Sequence, residues 1–258
     1  MDNFFTAYIL HLADTTLILA QRNAEWCGHG PILEQDIAIT NISLDLLGQS
    51  RNFYQYAAIL INQSTNKPVN ESTDEDKLAY LRKEREFKNL LLVEQANGDW
   101  GQTILRQYLF SQYQYLLFEQ LQNSKDEQVA AITAKALKEI KYHLRWSSEW
   151  VIRLGDGTTE SKARMQNAID ELWRYTGEMF TSTNYEVQCA KEGTGFDCSL
   201  LKEEWLQKVK LIFEEATLSI PEKVFMQTGG KEGTHTEQLG YILTELQYLQ
   251  RAYPNSVW

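Results

Sequence analysis

Proline is almost absent from the interior of this 258-residue chain, and this most constrains its fold. Only four prolines occur, and Pro31, Pro68 and Pro254 fall between segments of regular apolar spacing or after the last of them. Because proline breaks a helix from within, its distribution permits several long, uninterrupted helices.

Four long segments follow the helical period. The first runs from about residue 3 to 24 and ends at WCGHGP, and the second begins at ILEQDIAIT and continues for about thirty residues. The third is TILRQYLFSQYQYLLFEQLQ, and the fourth, AAITAKALKEIKYHLRWSSEWVIRLG, ends at Gly155. Two long helical hairpins in succession predict a four-helix bundle.

The remaining segments predict additional helices and no strand. We expect the polar stretch at 62–77 to be a solvated surface loop, 77–95 to be one helix, and further helices at about 162–180, 199–218 and 236–253. The prediction is an all-α fold of about seven or eight helices in a single domain over 1–258. Its core bundle lies at about 3–155 and its extra helices at about 160–252.

Charge and cysteine content exclude several classes of function. The formal charge of −10 argues against a surface for nucleic acid or for an anionic membrane. The three cysteines form no CxxC pair, which favours a reducing, cytoplasmic setting. The first helix has an acid where a signal peptide has bases, and His11 and Asp14 interrupt its apolar run, so we expect neither export nor a membrane span.

Bundles of this kind often hold a di-iron site, for which two helices each give a carboxylate and two others each give a Glu-x-x-His pair. Asp14 lies on the apolar stripe of the first helix, and reflection about the turn near residue 29 places it opposite Asp45. Three residues after Asp45, where a histidine is required, stands Gly48. The first hairpin therefore offers two carboxylates and no histidine.

The second hairpin is also incomplete. Reflection of Glu139 about the turn near residue 124 reaches Ser111 and its neighbours, none of which is a carboxylate. Tyr142 follows Glu139 at i+3, and His143 follows at i+4. Such a Glu and His can ligate a metal, but the spacing favours a charge-assisted hydrogen bond.

We therefore assign no catalytic, cofactor-binding or metal-ligating residue. The degenerate di-iron positions are Asp14, Asp45, Gly48, Ser111, Glu139, Tyr142 and His143. The surviving acids require charge partners if they are buried, and the nearby candidates are Lys135, Lys138 and Arg145.

The second predicted helix carries a polar stripe, formed by Asn41, Asp45, Gly48 and Asn52. The apolar residues beside it favour a buried hydrogen-bond network, and a solvated face is the alternative.

The stretch TGGKEGTHTEQLG contains the one literal Glu-x-x-His, Glu232 and His235, in a predicted loop that cannot present both on a helical face. Such a glycine-rich loop can bind phosphate, assisted by Lys231, but a tight turn capped by Thr234 or Thr236 is favoured.

Four blocks of the chain resemble the phenylacetic acid catabolic family, and specifically its non-catalytic members. The blocks are EWCGHGPILEQDIAITNISLDLLGQSRNFYQYA, FKNLLLVEQANGDW, AKALKEIKYHLRWSSEWVIRLGDGT and TGGKEGTHTEQLGYILTELQYLQRAYP. The resemblance implies a ferritin-like structural subunit that forms a stable subcomplex with a related catalytic A subunit. That partner holds a di-iron centre and epoxidises the aromatic ring of phenylacetyl-CoA in aerobic phenylacetate degradation.

The resemblance also implies a small subunit and a reductase that carries flavin and an iron–sulfur cluster, with a homodimer as the alternative assembly of the isolated chain. No motif for these cofactors occurs in the sequence. Two other hypotheses stay open: a metal-dependent oxygenase with an irregular site around Glu139 and His143, and a binding protein for CoA or an acyl chain that uses the TGGKEG loop.

Overall fold

The computed structural model of the protein describes residues 4–65, 72–254 and 256, and within these residues the fold contains helices and no strand. The all-α prediction is confirmed. The α-helices in chain order are α1 (Phe4–Ala24), α2 (Leu33–Thr65), α3 (Glu75–Tyr80), α4 (Leu91–Glu94), α5 (Trp100–Leu121), α6 (Glu127–Gly155), α7 (Thr159–Leu172), α8 (Asn184–Glu192), α9 (Lys202–Glu215), α10 (Glu237–Leu246) and α11 (Tyr248–Ala252).

Four long helices, α1, α2, α5 and α6, form the predicted bundle of two hairpins. In the first hairpin the hydroxyl of Ser43 donates to the carbonyl of Ala20 at 2.7 Å, and that of Ser50 donates to Ala13 at 3.0 Å, so the two helices run antiparallel. These short side chains let the backbones of α1 and α2 approach closely.

Helix α1 is largely buried. It is long and apolar enough to cross a membrane, but 72% of its most apolar window is buried inside the fold. The core helix of a water-soluble bundle has the same composition, because all of its sides pack against protein.

The prediction of a single helix at 77–95 is wrong. Helix α3 ends at Tyr80, a 3₁₀ turn covers Glu84–Glu86, and only Leu91–Glu94 is helical again. The chain leaves the helix because Arg82 turns inward to the buried carboxylate of Asp14. The backbone N–H of Lys88 binds the same carboxylate at 2.8 Å.

The surface loop predicted at 62–77 is shorter than expected. Helix α2 continues to Thr65, and α3 begins at Glu75 with Asp74 as its N-cap. The side chain of Asn62 joins the two ends by bonding both the N–H and the carbonyl of Thr73. The rest of the predicted loop, 66–71, lies outside the described residues.

Two predicted C-terminal helices are interrupted where their backbones meet other segments. Helix α7 ends at Leu172, and 3₁₀ turns follow it. A Cβ at Gly177 would lie only 2.7 Å from the Cγ of Met226, so this part of the chain depends on a residue without a side chain. The last helix is divided at Gln247, whose amide donates to the carbonyls of Ala79 and Arg82.

Candidate functional site

Asp14 is fully buried on α1, and its charge is balanced within the protein. It forms an ion pair with the guanidinium of Arg82 and accepts hydrogen bonds from the hydroxyl of Tyr54 at 2.6 Å and the N–H of Lys88 at 2.8 Å. Burial and the charge of Asp14 raise the pKa of Tyr54 well above its usual value, so this hydroxyl remains a neutral donor. Both carboxylate oxygens are occupied by protein groups.

Asp45 does not lie opposite Asp14, and the predicted pairing of the two carboxylates is wrong. The half-buried carboxylate of Asp45 lies 2.9 Å from Nε2 of His143 on α6, and the imidazole is fully buried. The prediction assumed that the turn between α1 and α2 is centred at residue 29, and it is not. The hydrogen bond of Ser50 to Ala13 fixes a different register between the two helices, in which Tyr54 and not Asp45 reaches Asp14.

Gly48 and Tyr142, which occupy the positions of the missing histidines, both lie at the surface. A Cβ built at Gly48 meets no atom within 4 Å, and Tyr142 is 38% exposed. A histidine at either position would therefore lie at the surface of the bundle.

The polar stripe of α2 is not a buried network, so the favoured interpretation is wrong and its solvated alternative is closer to the structure. Asn41 and Gly48 are exposed, whereas Asp45 and Asn52 are half-buried. The apolar residues that argued for burial are themselves exposed, for Leu44 retains 60% of its surface.

Glu139 belongs to a network of side-chain amides. The amide of Gln49 donates to Glu139 at 2.9 Å and accepts from the amide of Gln114 at 2.9 Å. Glu139 is thus linked to α5 near residue 114, not near Ser111 as the reflection predicted. The proposed cations Lys135, Lys138 and Arg145 make no ion pair with a carboxylate of the described chain.

Ser111 belongs to a second set of amide contacts in the same bundle. Its hydroxyl accepts from Gln107 at 2.8 Å, and the carbonyl oxygen of Gln107 accepts from Asn23 at 2.7 Å. We refer to Asn23, Gln49, Gln107, Ser111 and Gln114 as the amide core. Sequence reasoning missed it, although the run of glutamines in QYLFSQYQY is a visible signal for polar groups in an otherwise apolar helix.

These residues do not fit a di-iron centre. The buried groups between the four long helices are mainly hydroxyls and amides, with Asp14 as their one fully buried carboxylate, whereas two irons require several carboxylates together with imidazoles. The carboxylate of Asp14 already accepts a guanidinium, and the described residues contain no cluster of three or more His, Cys, Asp or Glu side chains arranged to hold a metal ion.

The glycine-rich loop is filled by a carboxylate of the protein itself. The N–H groups of Gly229 and Gly230 donate to Oε1 of Glu178 at 2.8 and 2.7 Å, and the N–H of Leu91 donates to its other oxygen at 2.7 Å. Burial raises the pKa of Glu178, although the three N–H donors oppose this shift. The loop therefore binds an anion, but an internal one.

Lys231 is also directed inward. Its ammonium lies 2.8 Å from Glu186, and both side chains are only 2% exposed. Burial favours the neutral form of Glu186, but the charge and hydrogen bond of Lys231, the charge interaction with His11 and the N–H of Thr183 together outweigh it, so the pKa of this carboxyl lies below its usual range. The hypothesis of a phosphate or CoA site on this loop is wrong, since its cation and its amide donors already have partners.

The end of the loop holds a third buried carboxylate, Glu94. His235 approaches one oxygen of Glu94 through Nδ1 at 2.9 Å, and the N–H and hydroxyl of Thr236 donate to the other at 2.7 and 2.8 Å. Thr236 stands at the N-cap of α10, but its hydroxyl binds Glu94 and does not cap the helix. We call residues 227–236 the C-terminal clasp, because this loop fastens α10 to Glu94, Glu178 and Glu186.

The fold and its polar groups define an all-α, ferritin-like bundle whose centre is built from amides and not from a set of metal-ligating carboxylates. The family model for the phenylacetic acid catabolic protein matches residues 2–258, and the chain belongs to this family. The C subunit of the 1,2-phenylacetyl-CoA epoxidase of Escherichia coli (strain K12) is 49% identical over 256 residues, which cover 99% of this chain and 100% of that protein.

Proposed function

We propose that this protein is a non-catalytic structural subunit of a phenylacetyl-CoA epoxidase that acts in aerobic phenylacetate degradation. The observation that carries the proposal is the full-length similarity to the C subunit of such an epoxidase, combined with a bundle centre whose donors do not fit a di-iron site. The centre keeps the helices in register through hydrogen bonds between neutral groups, which suits a scaffold.

The proposed partners follow from this assignment. They are a catalytic subunit that holds the di-iron centre and forms a stable subcomplex with this chain, a small subunit, and a reductase that carries flavin and an iron–sulfur cluster. The proposed location is the cytoplasm. The thiols support a reducing compartment, since Cys27 is exposed, Cys189 and Cys198 are buried, and all three are free.

Co-expression with the catalytic subunit of the epoxidase tests the assignment. We expect the two chains to elute together in size-exclusion chromatography, and we expect ring epoxidation only in samples that contain the catalytic subunit. Elution of this chain alone as a stable monomer in the presence of the catalytic subunit would contradict the proposal.

Metal analysis gives an independent readout. Protein purified from iron-supplemented cells is expected to hold far less than one iron per chain, and the content should not change in the His143→Ala variant. Near-stoichiometric iron that disappears in this variant would show that the chain is a metalloprotein.

A further inference from the structure

Helix α2 exposes a row of large apolar side chains on its outer face. The exposed fractions are 71% for Leu33, 52% for Ile37, 60% for Leu44, 39% for Leu47 and 52% for Ile59. Their spacing places them on one side of the helix, and 26 residues of helix extend over about 39 Å. We call these five residues the α2 stripe.

The α2 stripe is densest between Leu33 and Leu47, and the exposed Arg51 separates this part from Ile59. Single exposed leucines are normal on a protein surface, but contiguous apolar patches usually mark an interaction site. Interfaces of permanent complexes are also the more apolar class. The stripe therefore has the composition of a surface that is covered in an assembly.

Helix α6, which packs beside α2, carries exposed cations. Lys135, Lys138 and Arg145 are exposed, and Lys135 lines the same groove of about 120 Å³ as Leu44. Helices α2 and α6 lie side by side, since the indole N–H of Trp146 donates to Gln35. We call the three cations the α6 rim.

The cations of the α6 rim form no ion pair among the described residues. None of its three cations lies within ion-pair distance of a carboxylate in the part of the protein that the structure describes. The two carboxylates that line the groove are engaged elsewhere, Asp45 by His143 and Glu139 by Gln49. The three cations are therefore available to pair with carboxylates of another chain.

We propose that the α2 stripe and the α6 rim together form the docking surface for the catalytic subunit. The inference rests on the proposed function and adds the face and its chemistry: the partner presents apolar side chains to the stripe and carboxylates to the rim. A second copy of this chain fits less well, because a twofold contact pairs the surface with itself and sets two sets of cations in one interface.

Substitution in the stripe tests the apolar half. Leu44→Glu is expected to weaken binding to the co-expressed catalytic subunit at least about tenfold, because it places a charge at the centre of an apolar contact. The matched control is Leu211→Glu on α9, where the leucine is 61% exposed. Both variants should keep the helical circular dichroism and melting temperature of the parent, since neither side chain is buried.

Reversal of a charge in the α6 rim tests the electrostatic half of the proposal. Lys138→Glu is expected to slow association with the catalytic subunit and to reduce the dependence of its rate on salt, whereas Lys210→Glu, on exposed α9, should do neither. Equal effects of the rim and control variants would overturn the electrostatic part of the proposal.

The outcomes separate this inference from the proposed function. If the parent chain does not bind the catalytic subunit, both fail. If the parent binds and Leu44→Glu binds equally well, only the docking surface is overturned. If Leu44→Glu instead dissociates a homodimer of this chain and leaves the complex intact, the surface belongs to a second copy, and the inference is also wrong.

Discussion

Between the four long helices most buried polar groups are hydroxyls and amides, whereas beneath the C-terminal clasp they are carboxylates. The amide core is neutral, and its members bind one another, as in the contact of Gln114 with Gln49. The clasp instead covers Glu94, Glu178 and Glu186, each of which is satisfied by a histidine, by backbone N–H groups or by a lysine.

The difference shows where this fold tolerates buried negative charge. A carboxylate is costly in an apolar interior unless a cation or several donors accompany it. Asp14, the one fully buried carboxylate among the di-iron positions, follows the same rule as the clasp, because the segment between α3 and α4 brings Arg82 onto it. Charge is buried where an additional segment supplies the partner, and the centre of the bundle remains neutral.

Removal of Lys231 is expected to lower the stability of the protein more than any other change considered below. In Lys231→Met, Glu186 stays buried without its cation, and we expect the free energy of unfolding in urea to fall by about 3–5 kcal/mol. The exposed control Lys210→Met should change it by less than about 0.5 kcal/mol. Addition of Glu186→Gln should recover part of the loss. If the buried and exposed variants were equally stable, the clasp would not depend on its charges.

Arg82→Met tests whether the buried Asp14 depends on its cation, as Glu186 beneath the clasp depends on Lys231. The free energy of unfolding should fall by about 2–3 kcal/mol, which is less than for Lys231→Met. Asp14 keeps two other donors, the hydroxyl of Tyr54 and the N–H of Lys88. Asp14→Asn in the same background should restore stability in thermal unfolding. A double variant no more stable than Arg82→Met would show that Arg82 acts through its packing and not through its charge.

Sequence periodicity is sufficient to predict the long helices and their two hairpins, because their cores repeat at helical spacing and their interiors lack proline. It does not fix the register between helices. The displacement of Asp45 from Asp14 follows from the length and shape of one turn, which spacing within a helix does not report. The sequence therefore predicts which residue types lie in the candidate site, but it does not predict which of them contact one another.

The carboxylate contacts of the clasp could not be predicted for a different reason. The partners of Glu178 are at Leu91, Gly229 and Gly230, which are remote from it in the sequence and meet only in the folded chain. A glycine-rich loop with a lysine has the same local pattern whether its anion is a ligand or a side chain of the protein. Only the burial of Lys231 against Glu186 distinguishes the two.

Gln49→Leu tests how much the hydrogen bonds of the amide core contribute to stability. It removes one partner each from Gln114 and Glu139, and we expect a loss of about 1–2 kcal/mol. The double variant Gln49→Leu, Gln114→Leu should be closer to the parent, because two apolar side chains need no hydrogen bond. Equilibrium unfolding of the parent and the two variants measures the difference. A double variant that is no more stable than Gln49→Leu would mean that apolar side chains cannot replace the amides at these two positions.

The smallest expected effect is a dependence of stability on pH with opposite signs at two histidines. Burial opposes the charge of His235, but its hydrogen bond and charge interaction with Glu94 prevail, so its pKa is raised from 6.5. Its contribution to stability is complete below 6.5 and is lost as the pH rises through the folded value.

Burial lowers the pKa of His11 from 6.5, so its neutral form stabilises the fold above that value and the contribution is lost as the pH falls. His11 lies on α1 and binds the carbonyl of Lys88 through Nδ1 at 2.7 Å. Between about pH 8 and pH 5.5, His11→Asn should lose less stability than the parent and His235→Gln should lose more. Urea titrations of the three proteins at both pH values measure this. Parallel changes in all three would mean that neither histidine titrates differently on folding.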